Sequence, residues 1–242
     1  MRLTVIGCSG SFPGPDSPAS SYLVQAESGG RTWSILLDLG NGSLGVLQRH
    51  LDPGRLDGVF LSHVHPDHCL DICGLYVMQK YRPVGTAGRR IPVWGPRDAP
   101  SRLALACDGV DDGRGMWAVL DFAPLADAQP VELGPFTITP RRVNHPVECY
   151  GLRVEADGAV LAYTGDSDSC PALGELMAGA DLVLADSAFV EGRDERRGVH
   201  MTGRRCAEAA VAAGGVRRLM LTHLPAWNDP VVCRRQAEQV WG

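Results

Sequence analysis

Short apolar runs rich in β-branched residues recur along the chain, and each stops at a glycine, an aspartate, a histidine or another turn-forming position. This pattern predicts strands over residues 2–7, 21–26, 34–38, 58–61, 91–94, 136–143, 150–155, 160–163, 182–186 and 218–221. Between them, apolar positions at helical spacing predict helices over 43–50, 68–80, 97–107, 172–178, 202–213 and 230–240. The mixture is α/β. The turn Ala156-Asp157-Gly158 joins two of the strands and predicts an antiparallel hairpin, which disfavours a purely parallel, doubly wound sheet. Residues 82–130 are rich in Gly, Pro and Asp and read as an elaborated connection between two similar halves.

Composition narrows the class. At 242 residues, 45% of them hydrophobic, the chain can bury a proper core, and a single domain over 1–242 is expected. No apolar run approaches the roughly 20 residues of a membrane-spanning helix. The apolar run that opens the chain stops at Gly7, too brief for a signal-peptide core, so a cytoplasmic protein without a membrane partner is expected. The formal charge of −5 argues against a broad nucleic-acid surface and leaves room for a small phosphorylated ligand. The eight cysteines, at 8, 69, 73, 107, 149, 170, 206 and 233, form no Cys-x-x-Cys pair and are expected to be buried free thiols.

The chemistry concentrates in Ser62-His63-Val64-His65-Pro66-Asp67-His68, directly after an apolar strand. On an extended segment His63 and His65 point to the same side, and Pro66 favours a helix that starts just beyond them. Asp67 and His68 then fall in its first turn, where they reach a second point nearby. No hydrophobic core calls for three histidines and an aspartate within six residues, so the cluster reads as a metal site with room for two ions. Two ions need further donors. His145, Asp166 and His223 each follow a predicted strand and are candidates; of the seven histidines only His50 and His200 are then left over. His50 ends a predicted helix, where it would offset the helix dipole. Asp38 reads as a residue that orders the loops beneath the site. In Gly40-Asn41-Gly42 the glycines open a predicted helix and could present backbone N–H groups to a phosphate, which makes Asn41 and Gly42 candidate substrate contacts. A plain strand-to-helix turn explains the same residues.

This ordered set resembles the metallo-β-lactamase-fold superfamily, whose signature is His-x-His-x-Asp-His followed by a distant histidine, an aspartate and a final histidine. The resemblance implies an αββα sandwich of two mixed sheets flanked by helices. It also implies two divalent metal ions, zinc first, with manganese and iron accepted by the same donors. One ion would be held by His63, His65 and His145, the other by Asp67, His68 and His223, with Asp166 bridging. A final histidine in place of cysteine looks like the phosphodiesterase branch. The segments from Asp186 to Phe189 and from His200 to Gly203 are similar to the end of ribonuclease Z proteins, which makes His200 a candidate catalytic residue beside Asp67 and Asp166, and Thr202 a candidate substrate contact. Those enzymes carry a long basic arm between the third histidine and the bridging aspartate; here only residues 146–165 intervene.

The stretches 7–23 and 45–50 look like actinobacterial cyclic nucleotide phosphodiesterases of the atypical class II type. That resemblance implies hydrolysis of cyclic AMP, or cyclic GMP, to the 5′-nucleotide, with a homodimer as the usual form. Three alternatives stand beside it: a lactone or thioester hydrolase on the same metals, a ribonuclease Z-like nuclease, and a metal-stabilised accessory protein.

Overall fold

A computed structural model describes residues 1–83, 89–110 and 114–241. Residues 84–88 and 111–113 of the predicted connection, and Gly242 at the end of the expected domain, lie outside the described residues. Two compact units divide the chain, Met1–Cys8 with Phe12–Leu125 and Ser9–Ser11 with Ala126–Gly242.

The first unit opens with β1 (Arg2–Gly7), β2 (Ser21–Ser28) and β3 (Arg31–Leu37), an antiparallel meander. Its second hairpin closes on Gly29-Gly30, both at positive φ, the two-residue turn whose twist suits paired strands. There follow α1 (Ser43–Leu47), β4 (Gly58–Phe60), α2 (Pro66–Cys69), α3 (Ile72–Lys80), β5 (Ile91–Gly95), α4 (Ala99–Asp108), α5 (Arg114–Trp117) and β6 (Leu120–Pro124). The sheet order is β1-β2-β3-β4-β5-β6, parallel from β3 onward. Strand β4 is buried throughout, as a central parallel strand covered on both faces must be. Leu36, Leu39, Val59, Leu61, Ile72 and Leu75 pack in one cluster, each fully removed from solvent and each contributing about 1.5–3 kcal/mol of burial.

Three expectations are corrected here. The segment 82–130 is no mere connection, because β5 and β6 complete the first sheet. The helix predicted over 68–80 is two helices: Leu39 N–H donates to the His68 carbonyl and Asp71 N–H to the Leu39 carbonyl, so these two backbone groups bond to a neighbouring loop rather than along the helix. The Asp71 carboxylate also accepts from Leu44 N–H at 2.8 Å. Cysteines 73 and 107 are joined in a disulfide that links α3 to α4, a pairing 34 residues apart that no spacing motif announces. A loop of that length contributes about 3–4 kcal/mol by restricting the unfolded chain. The other six cysteines are free, four of them buried.

The second unit contains β7 (Val131–Leu133), β8 (Phe136–Arg142), β9 (Tyr150–Ala156), β10 (Ala159–Tyr163), α6 (Ala172–Met177), β11 (Leu182–Asp186), α7 (Gly203–Ala213), β12 (Leu219–Thr222) and α8 (Pro230–Glu238). Its sheet order is β12-β11-β10-β9-β8-β7. Strands β7 to β10 pair antiparallel, and β10, β11 and β12 run parallel. The β9–β10 hairpin turns on Asp157 and Gly158, both at positive φ, as its sequence predicts. Helix α7 buries Gly203, Cys206, Ala207 and Ala210, one stripe at helical spacing. Gly203 has no substitute there, since a Cβ would stand 2.0 Å from the Cys233 carbonyl oxygen on α8. Both sheets are mixed and bear helices, the arrangement expected of the α/β class.

Candidate metal centre

In the first unit the motif leaves the buried end of β4. His65 is extended (φ −74°, ψ 149°), as a residue before proline should be, and Pro66 opens α2 with Asp67 in its first turn. Asp38, buried and held at φ 59°, organises everything that follows. Its carboxylate accepts from Ser62 N–H at 2.6 Å, from Ser62 Oγ at 2.8 Å and from His68 Nδ1 at 2.8 Å. The Ser62 hydroxyl, its proton spent on Asp38, accepts from His63 Nδ1 at 3.1 Å. Both imidazoles are thereby fixed as the Nδ1–H tautomer, which places the lone pair on Nε2. His63 Nε2 lies 2.9 Å from His65 Nδ1, and His68 Nε2 lies 3.4 Å from Asp67 Oδ2. Asp38 therefore acts as the sequence reading has it, ordering the loops that carry the ligands.

In the second unit three side chains stand at the carboxyl ends of the adjacent parallel strands: Asp166 beyond β10, Asp186 closing β11 and His223 after β12. Such ends are where α/β sheets build ligand sites. His223 Nδ1 is 3.3 Å from Asp166 Oδ1. His200 Nδ1 donates to Asp186 Oδ2 at 2.8 Å and lies 4.0 Å from Asp166 Oδ2. Asp166, Asp186, His200 and His223 bring one ligand atom each within 4.8 Å of one another. The His200 ring stacks on His223 at 5.3 Å, with Phe189 edge-on at 5.0 Å. His145, beyond β8, donates Nδ1–H to the Val199 carbonyl at 3.0 Å, which again places the lone pair on Nε2. Burial holds its imidazole below the usual histidine range, in the neutral form a metal requires.

Sequence reasoning names Asp186 only as the start of a resembling segment, with no role of its own, and passes over Asp168. The signal for Asp186 was present, a carboxylate closing a buried strand. Asp168 had none. It is buried, yet it accepts from Arg197 Nε at 2.6 Å, Gly198 N–H at 2.8 Å and Arg205 Nη1 at 2.7 Å. These bonds hold the loop that ends in Val199 and His200. Among the candidate substrate contacts, Thr202 is buried as the N-cap of α7. Its hydroxyl accepts from Arg205 N–H and donates to Glu191 at 2.6 Å, so its place is that of a cap. Gly42 sits at φ 84° before α1, and Asn41 has a buried side-chain oxygen with no hydrogen-bond partner among the described residues. His50 lies in the turn beyond Leu47, where α1 ends short of the predicted boundary.

Two mixed sheets, a His-x-His-x-Asp-His motif and later histidine and aspartate donors at strand ends define a metallo-hydrolase of the metallo-β-lactamase fold, and the chain belongs to that superfamily. Residues 34–224 match the Beta-lactamase superfamily domain. The protein ML1173 of Mycobacterium leprae is 43% identical over 245 residues, covering 98% of this chain and 83% of its own. The crystal structure of the metallo-β-lactamase fold protein YhfI from Bacillus subtilis superposes with a TM-score of 0.85 at 30% identity, over 99% of this chain and 92% of that one. Ribonuclease Z of Myxococcus xanthus is 28% identical over 283 residues, 95% of this chain and 88% of that enzyme, which supports placement in the ribonuclease Z-like branch.

Proposed function

We propose that the chain is a dinuclear metal-dependent phosphodiesterase that opens a small cyclic nucleotide, cyclic AMP first and cyclic GMP second, to the 5′-nucleotide. His63, His65 and His145 would hold one divalent ion, zinc first, and Asp67, His68 and His223 the other, with Asp166 shared. The donor set fits such ions: every ligand is an imidazole nitrogen or a carboxylate oxygen, and His63, His68 and His145 have their Nδ1 atoms occupied by Ser62, Asp38 and Val199. When bound, divalent ions supply a lowered pKa for coordinated water, from about 15.7 toward about 7, and offset charge on phosphate oxygens.

The observation that carries the reading is the Asp186–His200 pair beside Asp166 and His223. With Nδ1–H given to Asp186, a proton on Nε2 of His200 is available for the departing ribose oxygen, and Asp186 balances the imidazolium charge. A ribose alkoxide is a poor leaving group, so this proton matters most for a phosphodiester of that kind. The kinship with ribonuclease Z supports phosphodiester chemistry, and the tight β9–β10 hairpin between His145 and Asp166 supports a small substrate. Asn41 and Gly42 are proposed as substrate contacts.

The test is turnover of cyclic AMP by the metallated protein, assayed beside an aryl phosphodiester and a thioester. Cyclic AMP should be converted to 5′-AMP, and Asp67→Ala or His65→Ala should abolish the activity. A metallated protein inert on cyclic nucleotides and aryl phosphodiesters but active on the thioester would replace this reading with carbonyl hydrolysis.

A further inference from the structure

At the other end of β4 from the histidines, the first sheet carries a row of polar residues that no step above uses. Arg2 pairs with Gln25 across β1 and β2, Gln25 pairs with Ser34 across β2 and β3, and Ser34 N–H donates to Asp57, just before β4, at 2.8 Å. Gln25, Ser34 and Asp57 are buried. A buried polar row is costly unless every group is bonded, and here each one is. Gln25 accepts from Arg2 and donates to Ser34 Oγ at 2.9 Å. Asp57 Oδ1 accepts from Arg31 at 2.9 Å and Arg89 at 2.8 Å.

Against this row lies a concavity of about 520 Å³ with Arg2, Arg31, Arg55 and Arg89 on its walls. Four guanidinium groups line the pocket, and two of them share the single carboxylate of Asp57, in a chain whose formal charge is −5. Of the neighbouring carboxylates, Asp52 binds Arg82 and also feels the charge of Arg55, and Glu27 accepts from Thr32. Arg31 is further fixed by stacking 3.6 Å over the Trp33 ring. No ion pair engages Arg2 or Arg55 among the described residues. Arg31 spends part of its five-donor fork on Asp57, and Arg89 spends part of its own on Asp57 and the Leu56 carbonyl.

We propose that this pocket is a second ligand site, for a small anion bearing a diphosphate. The charge excess surpasses what one carboxylate would neutralise, and phosphate oxygens spread in several directions can meet several arginine forks at once. The volume falls within the range of small-molecule sites, about 300–1,000 Å³. This inference stands on the first unit alone and is independent of the reaction at the metal centre.

Calorimetric titration tests it, with inorganic diphosphate and with ADP as an organic diphosphate, on the protein as purified and after EDTA treatment. One binding event per chain should persist in both preparations and weaken as ionic strength rises. In the Arg2→Ala/Arg55→Ala double variant it should weaken by about tenfold or more, the loss of two charge-assisted contacts. Turnover at the metal centre without diphosphate should be unchanged in that variant, and its circular dichroism melt should match the parent. Titration curves that coincide for parent and variant, or binding that vanishes with EDTA treatment, would overturn the proposal.

Discussion

At the scale of single residues, the centre depends on which nitrogen of each imidazole carries its proton. Asp38→Asn is the sharpest probe, because asparagine keeps the shape and tolerates the left-handed backbone that Asp38 adopts at φ 59°. The amide would present an N–H to His68 Nδ1 and force the proton onto Nε2, the proposed ligand atom. Metal affinity should fall by about 10–100-fold with the fold retained, as read by competition with a chromophoric chelator. His200→Ala should leave metal content unchanged and slow cyclic AMP turnover by about 10²–10⁴-fold, while hydrolysis of a p-nitrophenyl ester, whose leaving group needs no proton, slows far less. Equal losses on both substrates would remove His200 from proton transfer. The motif His63 to His68 is legible in sequence because its members are adjacent and of one chemistry. Asp186 and Asp168 are less so, since an aspartate reveals its partner only when folding brings in His200 from 14 residues away, or Arg205 from 37.

At the scale of elements, Asp168 ties the loop 197–200 and the start of α7 to the end of β10. Burial pushes its carboxyl up, but hydrogen bonds from Arg197, Gly198 and Ser169 and the charge of Arg205 outweigh that and hold it below the usual carboxylate range. A depressed folded pKa means that its stabilisation is present above about 3.9, the unfolded value, and is lost as pH falls through the lower folded value. Asp168→Asn should therefore destabilise the protein at neutral pH, and the difference in denaturant midpoint from the parent should shrink as pH falls below about 3.9. A difference that stays constant with pH would refute the charged clamp. Elements of strong pattern were readable: residues 182–186 form β11 with the expected bounds, and the hairpin at 156–158 turns where its Asp-Gly predicts. Strands β6 and β7 were not. Both lie at sheet edges, where β7 has only three residues and β6 closes on Pro124, a residue that an edge tolerates and a strand pattern penalises. The break between α2 and α3 escaped for another reason: helical periodicity continues through Leu70 and Asp71, and long-range bonds to Leu39 and Leu44 override it.

At the scale of the whole chain, the proposed ligands come from the loops after β4, β8, β10 and β12, so the proposed metal binding would draw on donors from both sheets. An unfolded chain scatters these donors over 160 residues, from His63 to His223, and binds metal poorly. Metal should therefore count directly as folding free energy. With free metal about 1,000-fold above its dissociation constant the gain is about 4 kcal/mol for each ion. For a chain of this size each kcal/mol moves the midpoint by about 2–4 °C, so chelation should lower the thermal midpoint by about 8–16 °C for each ion removed, and metal added back should restore it. The Asp67→Ala/His68→Ala variant separates this from a general effect of the chelator: it should melt low already and respond little to EDTA. A parent protein whose midpoint ignores both chelator and added metal would show that the His and Asp donors, however well arranged, hold no ion in the folded state, and the dinuclear reading would fall with them.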